Sequence, residues 1–164
     1  MKDADHQVDL WPTVQQVLAA NKYMVLATAD ADGAPWATPV YFAASDDRHL
    51  YWVSSPEARH SRNISARPEV AITIFDSQVS IGSAEAVFLE ATAAAVADVE
   101  RDRLLDVLNS RLPSGKTLGA ADVGPDGRLQ IYCATVSRHH VLVRGGDARF
   151  DNELDARLEV QPPS

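Results

Sequence analysis

The chain has 164 residues, 46% of them hydrophobic, a formal net charge of -8 and a single cysteine, Cys133. That size and apolar content predict one folded domain, 1–164, with a sizeable core and exclude a disordered chain, while one cysteine excludes an intrachain disulfide and suits a reducing, cytoplasmic compartment. The acid excess repels nucleic-acid backbones, the opening Met1-Lys2-Asp3-Ala4-Asp5-His6 lacks the apolar run of a signal peptide, and no apolar stretch matches a bilayer, so neither nucleic acid nor membrane is expected as a partner.

Trp11 to Ala20 reads as a helix, with Pro12 at its start, Val14, Val17 and Leu18 on one face, and Asn21 as its stop. Tyr23 to Thr28 is a strand apolar on both faces, as in a barrel wall, and Asp30-Ala31-Asp32-Gly33 is a hairpin turn. Trp36 to Ala44 is a second strand with Pro39 inside it, which marks an edge, a bulge or a place where the backbone faces something other than a neighbour. Asp46-Asp47 turns into a third strand, Leu50 to Ser54. Ser55-Pro56-Glu57 has the composition of a helix opening, and that helix should end near Ala66 because Arg67 precedes Pro68.

Glu69 to Phe75 is a strand rich in β-branched residues, and a Ser/Gly loop, Ser77 to Ser83, leads to another at Ala86 to Val96. Asp98 is placed to cap a helix with Leu104, Leu105, Leu108 and Leu112 in one stripe, ended by Pro113-Ser114-Gly115. Residues 114–127 read as loop with an Asp126-Gly127 turn, and Leu129 to Val136 and His140 to Val143 as the last strand signals. Residues 1–10 and 150–164 are expected to be flexible tails. About six strands joined by short turns, with three helices inserted, favour an α+β, mainly antiparallel barrel or sandwich.

The densest run of chemistry is Ser54-Ser55-Pro56-Glu57-Ala58-Arg59-His60-Ser61-Arg62-Asn63. Hydroxyls at a strand end, free N–H groups in the first turn of a helix, a guanidinium and an imidazole together suit a phosphate. The same residues also suit a capped surface helix with a solvated basic face. Trp36-Ala37-Thr38-Pro39-Val40-Tyr41 is the second feature: a strand with a missing donor can offer its backbone to a planar ligand, with Trp36 and Trp52 flanking the ring or simply packing in the core. His139 and His140 alternate across a strand and cannot share a metal, and Cys133 reads as inert packing. No zinc spacing, glycine-rich phosphate loop or Gly-x-Ser-x-Gly elbow occurs.

Four segments in order, Asp32 to Tyr41, Leu50 to Ser55, Arg59-His60-Ser61-Arg62-Asn63-Ile64 and Arg67 to Ile74, followed by Phe88-Leu89-Glu90-Ala91-Thr92-Ala93, resemble the pyridoxamine 5'-phosphate oxidase-like, FMN-binding split barrels. The resemblance implies a six-stranded split β-barrel with a few peripheral helices, and a flavoprotein oxidoreductase acting on a small molecule. It implies a homodimer with cofactor at the subunit interface. It puts Thr38, Pro39 and Val40 beside the flavin ring, Ser54, Arg59 and His60 beside the FMN phosphate, and Gln78, in the Ser77 to Val79 segment, near the ring edge; Trp36, Val53, Ser55 and Ser61 complete the expected cofactor-binding set.

Three departures stand out. His60 replaces a lysine and Thr38 an arginine of the enzymes that make pyridoxal phosphate, and their basic C-terminal substrate residues have no clear match. The same fold also implies two alternatives: a reductase using the deazaflavin F420, or a non-catalytic flavin- or haem-binding protein, with His139 or His140 as the haem's axial ligand.

Overall fold

The computed structural model describes residues 9–124 and 127–163; the acidic opening and the Asp126 half of the expected turn lie outside them. The first helix, α1 (Trp11–Ala20), buries Trp11, Val14, Val17 and Leu18 and ends at Asn21, whose side-chain amide donates to the Val17 carbonyl. Then come β1 (Tyr23–Ala29), β2 (Pro35–Tyr41), β3 (Ala43–Ala44), β4 (His49–Ser54), α2 (Arg59–Ala66), β5 (Glu69–Phe75), β6 (Ala86–Ala95), α3 (Arg101–Asn109), β7 (Gln130–Val143) and β8 (Ala156–Val160). The sheet is antiparallel throughout, in the order β2-β1-β5-β6-β7-β4-β3, with β8 on β7.

The stretch read as one strand, Trp36 to Ala44, is divided at Phe42 and serves both edges of the sheet. Its first part pairs with β1 and its last two residues with β4. Phe42, fully buried, is the joint, and its N–H still bonds the Lys22 carbonyl. The chain thereby closes the sheet into a barrel at that level. Elsewhere β2 pairs only with β1, so Trp36 to Tyr41 borders a split. This is the split barrel implied by the resemblance.

The core inside the barrel joins α1 to Met24, Leu26, Leu50, Trp52, Ile72, Ile74, Leu89, Tyr132, Ala134 and Val141. A second cluster, on the outer face of β4 and β7, packs Leu104, Leu105 and Leu108 of α3 on Tyr51, Ile131 and Val123. Asp98 makes no side-chain cap; it opens a short 3-10 turn, Asp98–Glu100, ahead of α3, and Leu112 lies beyond the helix, half-buried.

Two other expectations are corrected. The final strand is continuous from Gln130 to Val143 and carries a bulge: Glu90 pairs with Arg138 but Ala91 with Val136, leaving Ser137 as the extra residue. And the segment read as a tail returns as β8, pairing His139–Val143, with Phe150 and Val160 against the core. At the other end Leu10 is buried and the Asp9 carboxylate accepts the Trp11 N–H. The two added short strands, β3 and β8, escape a hydrophobic-pattern reading because two and five residues carry almost no periodicity. No helix among the described residues is long and apolar enough to cross a membrane.

Candidate functional site

β2 differs from every other long strand. Where β1 alternates buried and half-buried residues, β2 has Pro35, Trp36, Ala37 and Pro39 exposed and Thr38, Val40 and Tyr41 half-buried. Directly opposed residues share a face, so Trp36, Thr38 and Val40, opposite Thr28, Leu26 and Met24, lie on the inner face, and Pro39, opposite Val25, on the outer one. The bonds Phe42 N–H to Lys22 and Asp30 N–H to Ala34 set which positions hydrogen-bond to β1. By alternation Pro39 falls between them, with its nitrogen toward the open edge. The proline therefore costs the β1–β2 ladder nothing and shields a free edge.

On the far side of the split, β4 ends at Ser54. The expected helix opening at Ser55-Pro56-Glu57 is a turn instead: the Ser55 hydroxyl accepts the Glu57 N–H at 3.1 Å and the Ser55 carbonyl accepts the Ala58 N–H at 3.0 Å. Serine followed by proline encodes both structures, and only the tertiary path of the chain chooses between them. The helix begins at Arg59 with Ala58 as its N-cap residue and no side-chain cap. Its first-turn N–H groups are thus left without a side-chain acceptor, at the positive end of the helix dipole.

This turn assembles the group. The Ser54 hydroxyl and His60 Nε2 are 2.7 Å apart. The Arg59 guanidinium lies 4.5 Å from the centre of the Trp36 ring, so α2 reaches across the split to β2. Ser61 is 1% exposed and its hydroxyl has no hydrogen-bond partner. His60 is buried, and burial pushes its imidazole below the ordinary histidine range. Beneath them runs a connection that the sequence analysis did not single out: the Asn63 amide donates to the Thr28 hydroxyl at 2.9 Å, and that hydroxyl donates to the Trp36 carbonyl at 3.4 Å. The available signal was one threonine ending an apolar strand.

The structure brings Trp36, Thr38, Val40, Ser54, Arg59, His60 and Ser61 to the two banks of one split. It does not bring the others. The Val53 side chain packs in the α3 cluster, and Ser55 is committed to its turn. Gln78 is exposed in the loop after β5, its amide N–H on the Asp76 carboxylate and its side chain turned to Ser77. Trp52 does not face Trp36: it is fully buried and stacked on Tyr132, with ring centres 5.7 Å apart. His139 is 2% exposed, donates through Nε2 to the Asp47 carbonyl at 2.6 Å and meets Trp11 edge-on at 4.9 Å. It is a buried core residue whose Nε2 is already engaged. His140 lies on the other face, 3.9 Å from Glu90. Cys133 is half-buried and burial raises its thiol, as expected of inert packing. Among the described residues no group of three or more His, Cys, Asp or Glu is placed to hold a metal.

The pyridoxamine 5'-phosphate oxidase family model matches residues 10–138, from the start of α1 through both banks of the split to the bulge in β7. The chain belongs to that family. A pyridoxine/pyridoxamine 5'-phosphate oxidase of Rubrobacter xylanophilus is 32% identical over 110 residues, covering 65% of this chain and 47% of that protein. The chain therefore spans about half the length of that oxidase. Among solved structures, a FAD-binding protein from Mesorhizobium loti is 24% identical with a TM-score of 0.60, over 78% of this chain and 90% of that one. The haem storage protein HutZ from Vibrio cholerae is 20% identical with a TM-score of 0.63, over 79% and 92%. These two likenesses show the fold, and proteins sharing it hold different cofactors.

The donor set of the split fits a phosphate ester. Arg59 and the free N–H groups of α2 supply positive charge, Ser54 and His60 supply hydrogen bonds, and the Ser61 hydroxyl, buried without a partner, is of the kind a bound group or water would satisfy. An exposed edge strand with an aromatic ring at its mouth fits the flat body of a flavin.

Proposed function

We propose that the chain binds FMN in the split and serves as a flavin-dependent oxidoreductase toward a small organic substrate. The observation that carries this reading is the grouping of Ser54, Arg59, His60 and Ser61 at an uncapped helix start, facing the one long strand that buries no face. Bound flavin would supply hydride or electron transfer. The residues of this chain would hold it: Arg59 and the α2 N–H groups on the phosphate, Ser54 and His60 on the phosphate oxygens, Thr38 and Val40 along the ring, with Trp36 closing the phosphate end through Arg59; Pro39, expected beside the ring, lies on the opposite face of β2. Thr38 in place of an arginine leaves that wall uncharged, which supports a substrate other than an anionic vitamin phosphate.

In this reading the working unit is a homodimer. The exposed residues Ala37, Pro39, Phe75 and Val79 lie on or next to β2 and β5, and Tyr23 is 62% exposed on β1. Apolar residues of neighbouring strands left open in this way suit a second copy, which would also wall in the ring.

The test is direct. Purified chain titrated with FMN should quench flavin fluorescence at one equivalent per chain and run at dimer mass; mass spectrometry of any ligand that co-purifies should give FMN. A co-purified chromophore absorbing further to the violet would reassign the site to the deazaflavin F420. No binding of either, or a flavin-loaded monomer, would overturn the reading.

A further inference from the structure

We propose that His60 couples phosphate binding to proton uptake: empty, it is a neutral imidazole bonded to Ser54, and a bound phosphate dianion draws one proton onto it. The inference rests on the cofactor reading above and names how that same site is regulated.

The geometry is specific. His60 Nε2 sits 2.7 Å from the Ser54 hydroxyl, and the ring is 9% exposed at the second residue of α2. A hydroxyl can donate to a neutral ring nitrogen or accept from a protonated one, so the pair accommodates both states without moving. A lysine in the same place would be charged before the ligand arrived. A buried imidazole is not, because burial lowers its proton affinity.

No charged side chain offsets that burial. On α2 itself Arg59 lies over Trp36 and Arg62 bonds the Glu57 carbonyl. Of the strands packed on α2, β1 and β2 carry only Tyr23 and Tyr41 as titratable groups. β6 carries Glu90, which faces Arg138 and His140. β4 carries Tyr51 in the α3 cluster and, at its far end, His49 paired with Asp46 at 2.9 Å. Arg67, just after α2, bonds the Ala31 carbonyl. Glu57, in the turn before α2, is exposed, and burial acts on the His60 ring with no charged partner beside it, so the opposite charge brought to the ring is the ligand's own. A dianion within hydrogen-bond reach favours the imidazolium and reverses the effect of burial.

The sign follows from linkage. Between the low proton affinity of the empty site and the higher one of the loaded site, the complex holds more protons than the free protein. Affinity is therefore highest at the acid end of that window and falls as pH rises, by up to about tenfold per pH unit for one proton.

The experiment is calorimetric titration of the whole chain with FMN at about pH 7.5, where the ester is already a dianion because its second ionisation lies near pH 6. It is run in two phosphate-free buffers of different ionisation heat. Expected is uptake of a large fraction of one proton per FMN, none with riboflavin, and none with FMN on His60→Lys, which should still bind. Equal apparent heats in both buffers, with FMN bound, would overturn the inference and leave the cofactor reading standing. Uptake of the same size with riboflavin would place the proton elsewhere and overturn it too. Absence of any FMN binding would overturn both.

Discussion

The two ends of β4 hold two histidines that are chemically alike and structurally opposed. Just before its start, His139 donates to the Asp47 carbonyl and lies against Trp11; at its last residue, His60 meets the Ser54 hydroxyl. Both rings are buried, and burial lowers the proton affinity of both. The difference is the partner. A carbonyl only accepts, so His139 is locked as the Nε2–H tautomer inside a packed layer with α1 on top. A hydroxyl can give or take, and the surroundings of His60 include an uncapped helix start, an unpartnered serine and an edge strand open on one side. One end of the strand is finished; the other keeps its polar groups in hand for something else.

The sharpest contrast should be in stability. His139→Ala leaves a void beside Trp11 and an unpaired Asp47 carbonyl, so chemical denaturation should show a loss of about 3–5 kcal/mol. His60→Ala, beside the split, should cost well under half of that. Equal losses would dissolve the distinction between the two ends.

Ligand binding should reverse the ranking. Arg59→Ala with His60→Ala should weaken FMN by about 2–4 kcal/mol if each makes a charge-assisted contact. His139→Gln, which keeps a donor, should leave FMN affinity unchanged. Unaltered affinity in the double variant, read by fluorescence titration, would put the phosphate elsewhere.

Acid should separate the two ends in a third way. A histidine whose folded proton affinity is depressed contributes stability above the unfolded value, near pH 6.5, and that stability is lost as pH falls toward the folded value, because the unfolded chain takes up protons first. The slope is at most about 1.4 kcal/mol per pH unit for each proton. Saturating FMN should abolish the share of His60 and leave that of His139, whereas His139→Gln should remove the latter; melting curves from pH 7.5 to 5 would read both. A slope that FMN does not touch would break the link between His60 and the ligand.

The smallest effect is expected at Trp36. It is 40% exposed and Arg59 lies over its ring, so Trp36→Ala should change stability by only about 0.5–1 kcal/mol. The same substitution should still weaken FMN measurably, because Arg59 loses the surface that holds it across the split. Trp52→Ala, in the stacked core pair, should instead behave like a core truncation.

Local patterning determined much of this protein. Short apolar or β-branched runs bounded by turn residues placed β1, β4 and β5, and proline with periodic valines and leucine placed α1, because each of these signals is satisfied within one element. The run from Ser54 to Asn63 was legible as a phosphate-binding candidate for the same reason: its residues are neighbours in the chain, and Ser54 and His60 do meet. What tertiary structure alone decided are choices between equivalent local solutions. Ser55-Pro56 serves a turn rather than a helix start. Phe42 sends one strand to both edges of the sheet. A single bulged residue, Ser137, shifts the alternation of β7 so that His139, not His140, enters the core. Each turns on where the rest of the chain already lies, and pairing across a sheet is a long-range fact that no window of neighbouring residues contains.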